Sequence, residues 1–253
     1  SILNMRKFLK KLFIFYFLPI IVLSVPIDFG ISFFLSNKNR VALGEYEVWT
    51  NIYNSEINCD IAIMGSSRAW VHIDPKIIED KINLSAYNFG IDGHSFFLQY
   101  FRNLEYLKYN EKPKKIILSV DVFTLNKRKD LYNYSQFLPY MLWNKDAYKY
   151  TKVYNGFNII EYFVPLTRYI GETKSIKYSL EEMFGYNKKE KLRSNGFTAM
   201  DKKWNQDFSN AKNRINRLKI DIDQESVDLF KSFINECKKN NVELILVYAP
   251  EYI

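Results

Sequence analysis

The sequence predicts an α/β domain, a parallel sheet with helices on both faces, set behind a single N-terminal transmembrane helix. Two observations predict the domain. Short apolar runs of strand length alternate with amphipathic stretches of helical period, and strands separated by helices pair in parallel with the helices covering the sheet. The third observation is a basic cluster followed directly by a long apolar run at the start of the chain. Of the 253 residues, roughly 200 remain once the apolar segment is set aside, enough for one domain with a sizeable core.

The elements follow in order. Residues 6–11 read Arg-Lys-Phe-Leu-Lys-Lys, and apolar residues run from 12 to 25 and on past Pro26 and Asp28 to Leu35. With Phe8, Leu9 and 31–35 included, the stretch reaches the roughly 20 residues a spanning helix needs. The Lys and Arg flank keeps the N-terminus cytoplasmic and puts the remainder outside. A cleaved signal peptide is the rival reading, but no small-x-small site follows Val25 and apolar residues resume after Asp28. Residues 37–57 are mixed in character and read as a connector. Residues 60–64 (Asp-Ile-Ala-Ile-Met) form a buried parallel strand ending at Gly65. Asp74 caps a helix with Pro75 at its first position, running to about Ile82. A short strand covers 86–88, and Gly90 and Gly93 open a loop. Phe97, Leu98, Phe101, Leu104 and Leu107 give 95–109 a helical apolar face. Pro113 ends it. A third strand is expected over 115–123. Residues 126–222 have weak periodicity and read as a partly helical insertion. Val227, Phe230, Phe233 and Ile234 mark an amphipathic helix over 224–240, and 242–248 is a fourth strand.

Composition narrows the function classes. Hydrophobic residues are 47% and charged residues 25%, a globular balance. The net charge of +8 could serve nucleic acid, anionic lipid or an acidic polymer, but no nucleic-acid-binding motif or basic helical stripe is present, so nucleic acid is excluded as a partner. The clusters at 127–129 and 188–193 read as solvated surface. Cys59 and Cys237 with two histidines make no metal-ligand pattern. They read as buried free thiols, with a disulfide as the alternative outside the cytosol. No metal and no cofactor are expected.

A parallel α/β sheet binds its ligand at the carboxyl ends of its strands, so the loops at 65–70, 89–95 and 121–126 are the candidate site. The first reads Gly65-Ser66-Ser67-Arg68. A Ser at a tight strand-to-helix turn, beside unpaired backbone N–H groups, meets the conditions for an acyl-transfer nucleophile with an oxyanion hole.

Here the sequence resembles a known family. The segment 61–68, Ile-Ala-Ile-Met-Gly-Ser-Ser-Arg, is similar to the first block of SGNH (GDSL-type) hydrolases, with Gly-Ser-Ser where Gly-Asp-Ser is usual. The segment 88–95, Asn-Phe-Gly-Ile-Asp-Gly-His-Ser, resembles the second block at a spacing that fits one βαβ unit. The nearest likeness is to the membrane-anchored branch that includes the alginate acetylation proteins and the teichoic-acid D-alanine transfer protein. The resemblance implies a flavodoxin-like sheet, Ser67 as nucleophile, Gly93 as an oxyanion N–H donor and Gly90 as a turn residue. It also implies an extracytoplasmic esterase or O-acyltransferase acting on cell-envelope polysaccharide or a similar acylated substrate, with a membrane acyltransferase as partner.

Two departures from the family pattern bear on this. The third block carries Gly-x-Asn-Asp, whereas the third strand here leads into Asp121-Val122-Phe123, and the first Asn after it is Asn126, to which that role is not carried over. The family's Asp and His follow its last strand, and here no His occurs beyond His94. A chain truncated at its C-terminus is the expectation, with degeneration to a non-catalytic, membrane-tethered glycan- or partner-binding module as the alternative. His94 orders its loop or serves as base. His72 packs beneath the turn. Arg68 holds an anionic substrate group or pairs with an Asp. Asp121 accepts N–H bonds from the nucleophile turn, and Ser66 supports it.

Overall fold

The computed structural model describes residues 2–38, 41–186, 192–201, 206–207, 209–210 and 220–249. In chain order the main elements are α1 (Ile2–Leu12), a π-helical turn (Phe13–Phe17), α2 (Leu18–Leu35), α3 (Glu45–Tyr53), β1 (Ile61–Met64), α4 (Ser67–His72), α5 (Pro75–Ile82), β2 (Ala86–Asn88), α6 (Phe96–Tyr109), β3 (Lys115–Val120), α7 (Lys145–Thr151), α8 (Ile159–Phe163), α9 (Thr173–Met183), α10 (Gln224–Lys239) and β4 (Glu243–Tyr248). They fall into two compact units, one combining residues 1–46 with 134–190 and the other residues 47–133 with 191–253.

The second unit has the α/β class expected of the chain, whereas most of the expected insertion, residues 134–190, groups with the N-terminal helix in the first unit. The four strands of the second unit form one parallel sheet in the order β2-β1-β3-β4, with helices around it. β1 is buried at all four positions, as a strand covered on both faces must be, and this is why it reads as an unbroken apolar run. Ile61, Ile63, Ala69 and Ala86 form one core cluster, with Ile73, Ile78, Leu84 and Ile117 against it. α6 packs Phe96 against Phe233 and Phe230 of α10, ring centroids 5.4 and 4.9 Å apart; it is buried nearly all round rather than along the expected stripe, of which Leu107 is exposed. Asp74 caps α5 as expected, accepting from the Lys76 N–H at 2.9 Å.

Two segments depart from expectation. The third strand stops at Val120, three residues early, because Asp121 turns the chain: its Oδ1 accepts from the Phe123 N–H at 2.8 Å and its carbonyl from the Thr124 N–H at 3.0 Å. The expected connector contains α3, whose Tyr46, Trp49 and Ile52 are buried. In the second unit Trp49 packs on Phe101 and carries the Arg102 guanidinium 4.5 Å from its ring centroid.

The first unit is built on the N-terminal helix. Residues Asn4–Leu35 form one continuous helix of 32 residues, with mean hydropathy 2.2 over its most apolar window, and it is long and apolar enough to cross a membrane. Almost none of that window is buried by protein. Its C-terminal end is different. Leu35 joins Ala42, Tyr46, Leu138 and Tyr169 in a buried cluster. Asp28 is fully buried and takes the Arg168 Nη2 on Oδ1 at 2.5 Å and the Leu166 N–H on Oδ2 at 2.6 Å. Ser32 Oγ donates to the Asp28 carbonyl and shares hydrogen bonds with Arg168 Nη2 and the Tyr169 hydroxyl. Ser179 of α9 donates to the Ile31 carbonyl at 3.0 Å.

A buried ion pair is costly to break from one side, because the remaining charge is stranded, and far less costly to replace whole. Arg168→Met should therefore destabilise the first unit by about 3–5 kcal/mol. The double variant Asp28→Leu/Arg168→Met should recover most of that loss. Thermal unfolding in detergent, followed by limited proteolysis across residues 134–186, measures both.

A cleft at the carboxyl ends of β1 and β3

The chain passes from β1 to α4 within two residues, and backbone geometry dictates which residues can stand there. Gly65 has φ +149°, and a Cβ on it would lie 2.7 Å from Ala69 Cβ and 2.9 Å from Ser119 Cβ, so only glycine brings β1, α4 and β3 this close. Ser66 is the N-cap of α4. Its Oγ accepts from the Arg68 N–H at 3.3 Å and donates to Asp121 Oδ2 at 3.0 Å. Ser67 is the first helical residue, half-buried, and its hydroxyl makes no hydrogen bond among the described residues.

The 88–95 segment is tied directly to this turn. Its backbone continues the sheet pairing, with the Phe89 N–H on the Ile63 carbonyl at 2.7 Å and the Ile91 N–H on the Gly65 carbonyl at 3.0 Å. Asn88 is fully buried, and its amide donates to the carbonyls of Ala69 and Ile73 at 2.9 and 2.8 Å and accepts from the Gly90 N–H at 2.8 Å. Gly90 lies under Trp70, and its carbonyl accepts from Arg102 and Arg193 at 3.2 and 3.1 Å. Gly93 has φ +70°, in the left-handed region, with the Tyr132 ring against its Cα.

These contacts shape a cleft of about 330 Å³ whose walls include Ser66, Ser67, Gly93, His94, Asp121 and Asn126; Arg68 and Arg128 also line it, with Ser95, Gln99, Phe123 and Thr124. The cleft opens where the strand order reverses between β1 and β3, the place at which open α/β sheets bind ligands. Of the residues expected at the site, Ser66, Ser67, Arg68, Gly93, His94 and Asp121 line the cleft, while Gly90 lies behind it in the packing.

The roles divide more finely than sequence allows. Asp121 receives the Ser66 hydroxyl rather than N–H groups of the turn, and its other oxygen takes the Phe123 N–H. His94 is buried, and its Nε2 lies 2.8 Å from the Tyr132 carbonyl. A carbonyl only accepts, so Nε2 is the donor in this contact. His72 is exposed at the end of α4, not packed beneath the turn. Arg128 pairs with Asp130 through Nε and Nη2 at 3.1 and 2.9 Å, and the guanidinium holds the Asp130 carboxyl below the usual carboxylate range. The thiols of Cys59 and Cys237 are free, and burial pushes both up to about 11, so they stay protonated at neutral pH.

Several residues near the site carry no obvious sequence signal. Arg193, from the basic cluster read as solvated surface, is 1% exposed and stacks 3.9 Å from the Trp70 ring centroid; residues 188–191 of that cluster lie outside the described residues. The Asn88 N–H is capped by the Asn195 carbonyl at 2.8 Å, which places residues 193–198 beside β2. Tyr132 reaches the site from the expected insertion. Asn126 also lines the cleft.

The chain matches no family model, no curated protein and no solved structure.

Asn88 is the sharpest structural test. Asn88→Ala leaves two carbonyls and one N–H buried without their partner, at a cost of about 3 kcal/mol or more. Ser66→Ala removes a cap and should cost about 1 kcal/mol. Chemical denaturation read by tryptophan fluorescence separates the two, and equal losses would contradict the division of roles described above.

Proposed function

We propose that this chain is a membrane-anchored, SGNH-like serine esterase or O-acyltransferase with a flavodoxin-like sheet. It acts outside the cytoplasmic membrane on cell-envelope polysaccharide or a similar acylated substrate, alongside a membrane acyltransferase partner. The observation that carries this reading is the cleft itself. It gathers Ser67, Gly93, His94 and Asp121 from three loops at the sheet's switch point.

Between the two adjacent serines, the hydrogen bonding favours Ser67 as nucleophile. The Ser66 hydroxyl is engaged both as acceptor and as donor, whereas that of Ser67 has no partner among the described residues. In the reaction, Ser67 Oγ attacks the acyl carbonyl carbon and gives up its proton to a base. The ester C–O bond then breaks and the alcohol leaves with a proton. The acyl group is released from Ser67 by water or by a glycan hydroxyl. Backbone N–H groups of residues 67 and 93 are suited to the tetrahedral oxyanion, each donor worth about 3–4 kcal/mol, and Asn126 offers a side-chain amide at the same cleft. His94 is the imidazole lining the cleft, and His94→Gln tests whether it takes the proton.

Two features support a retained anchor and its orientation. Asp28, Ser32 and Leu35 belong to the buried interior of the first unit, so cleavage after the apolar helix would remove part of that interior. The basic residues at 6–11 favour a cytoplasmic N-terminus.

One observation favours a second reading, a non-catalytic glycan- or partner-binding module. Neither His72 nor His94 is hydrogen-bonded to Ser67 among the described residues. A fluorophosphonate probe distinguishes the two. Adduct mass at Ser67, lost in Ser67→Ala and retained in Ser66→Ala, is the result expected of the enzyme. A folded protein that takes no label, in cells where Ser67→Ala leaves polysaccharide acylation at its wild-type level, is a binding module.

A further inference from the structure

The first unit carries an apolar surface that its own core does not use. Trp143, Ile159, Ile160, Phe163, Val164 and Ile170 are between 46% and 78% exposed. Four of them fall in or just after α8, so the helix shows water the residue types that normally face a core. Such a contiguous patch marks an interaction surface.

Its position identifies the partner. The patch is fastened to the N-terminal helix at one height: Leu166 N–H and Arg168 both bind Asp28, and the Trp143 ring lies 5.9 Å from that of Phe29. The Trp143 Nε1–H donates to the Phe163 carbonyl at 2.9 Å, joining the ring to α8, and the 3-10 turn Thr167–Tyr169 packs on α8. Asp28 lies seventeen positions after Lys11, the last cation of the basic flank. At 1.5 Å per residue that is about 26 Å of helix, against a hydrocarbon layer of about 30 Å. A helix that starts its crossing at Lys11 therefore holds Asp28 and Phe29 just inside the far boundary of that layer, and the attached patch at the same depth.

The flanking chemistry agrees. Lys145, Lys149 and Lys152 are exposed along one side of α7 and its end, at helical spacing. Tyr148 of the same helix packs on Phe163 with ring centroids 5.5 Å apart. Apolar side chains bordered by Trp, Tyr and Lys are the composition of a membrane boundary.

The geometry points to a monotopic membrane face: residues 143–170 seat the first unit in the extracytoplasmic leaflet, with α8 and Ile170 among the upper acyl chains and the α7 lysines among the lipid phosphates. This rests on the reading that the N-terminal helix spans the bilayer, and the test separates the two claims. The protein carrying Cys59→Ser and Cys237→Ser is reconstituted into phosphatidylethanolamine–phosphatidylglycerol vesicles. A nitroxide is attached in turn at Ile160→Cys, at Ile20→Cys within the helix and at Lys76→Cys on exposed α5, and power saturation compares oxygen with a water-soluble nickel chelate. The expected result is a label at 160 that resembles the one at 20, with nickel accessibility severalfold below that at 76. A label at 160 as open to nickel as the one at 76, while position 20 stays shielded, overturns the membrane face and leaves the spanning helix standing. If position 20 is open to nickel, both claims fall. Ile170→Cys repeats the measurement should the label at 160 disturb α8.

Discussion

The candidate site depends on one buried amide. Asn88 ends β2, and its side chain satisfies the carbonyls of Ala69 in α4 and of Ile73 just after it, and the N–H of Gly90, at once. The short helix carrying Ser67 and the start of the loop that leads to Gly93 and His94 are thereby joined through one fully buried side chain, where a lost hydrogen bond is expensive, alongside the backbone bonds of Phe89 and Ile91 to Ile63 and Gly65. Gly65 completes the constraint from the other side, because its missing Cβ lets β1, α4 and β3 converge. The cleft follows from these two residues, and its polar lining is what the three converging loops bring to it.

A similar logic governs the first unit with different chemistry. An aspartate in an otherwise apolar helix is tolerable only if its charge is met. Here Arg168 and the Leu166 N–H meet it, and Ser32 accepts a hydrogen bond from the same guanidinium. The contacts are also geometric anchors, because they set which residues of the 134–186 segment lie level with which turn of the helix. The same interaction that makes Asp28 tolerable therefore fixes which turn of the helix the exposed apolar surface around α8 lies beside.

Much of the α/β unit was legible because its signals are local. β1 reads as a buried strand from four apolar residues and a glycine, Asp74-Pro75 marks a helix start, and the apolar spacing over 95–109 and 224–240 has a helical period. The grouping of the Gly65-Ser66-Ser67 turn with Gly93, His94 and Asp121 was legible from topology, since parallel strands put their carboxyl ends together. What stayed hidden depends on long-range contact. The three-residue spacing of Tyr46, Trp49 and Ile52 was available as a helix signal but was masked by polar neighbours. Nothing near Arg193 in sequence announces that its guanidinium stacks on Trp70, and a basic cluster ordinarily stays in water. Arg168 and Asp28 lie 140 positions apart, so no periodicity could pair them.

The two adjacent serines show why a motif match and a geometry contribute different things. By spacing alone Ser66 and Ser67 are interchangeable candidates, both at the end of a strand and both beside α4. The backbone separates them. An N-cap residue turns its hydroxyl back onto the helix, which commits the Ser66 oxygen to Arg68 N–H, and Asp121 then claims its proton. A nucleophile needs a lone pair directed at substrate and a proton free to leave, and a hydroxyl already used in both directions would have to break two bonds first. Ser67 faces the same cleft without those commitments. An Asp at position 66 would cap α4 as well, but beside the Asp121 carboxylate it would set two negative charges together. A serine hydroxyl caps the helix and donates to that carboxylate in one step, which gives a physical reason for Gly-Ser-Ser where the resemblance leads one to expect Gly-Asp-Ser.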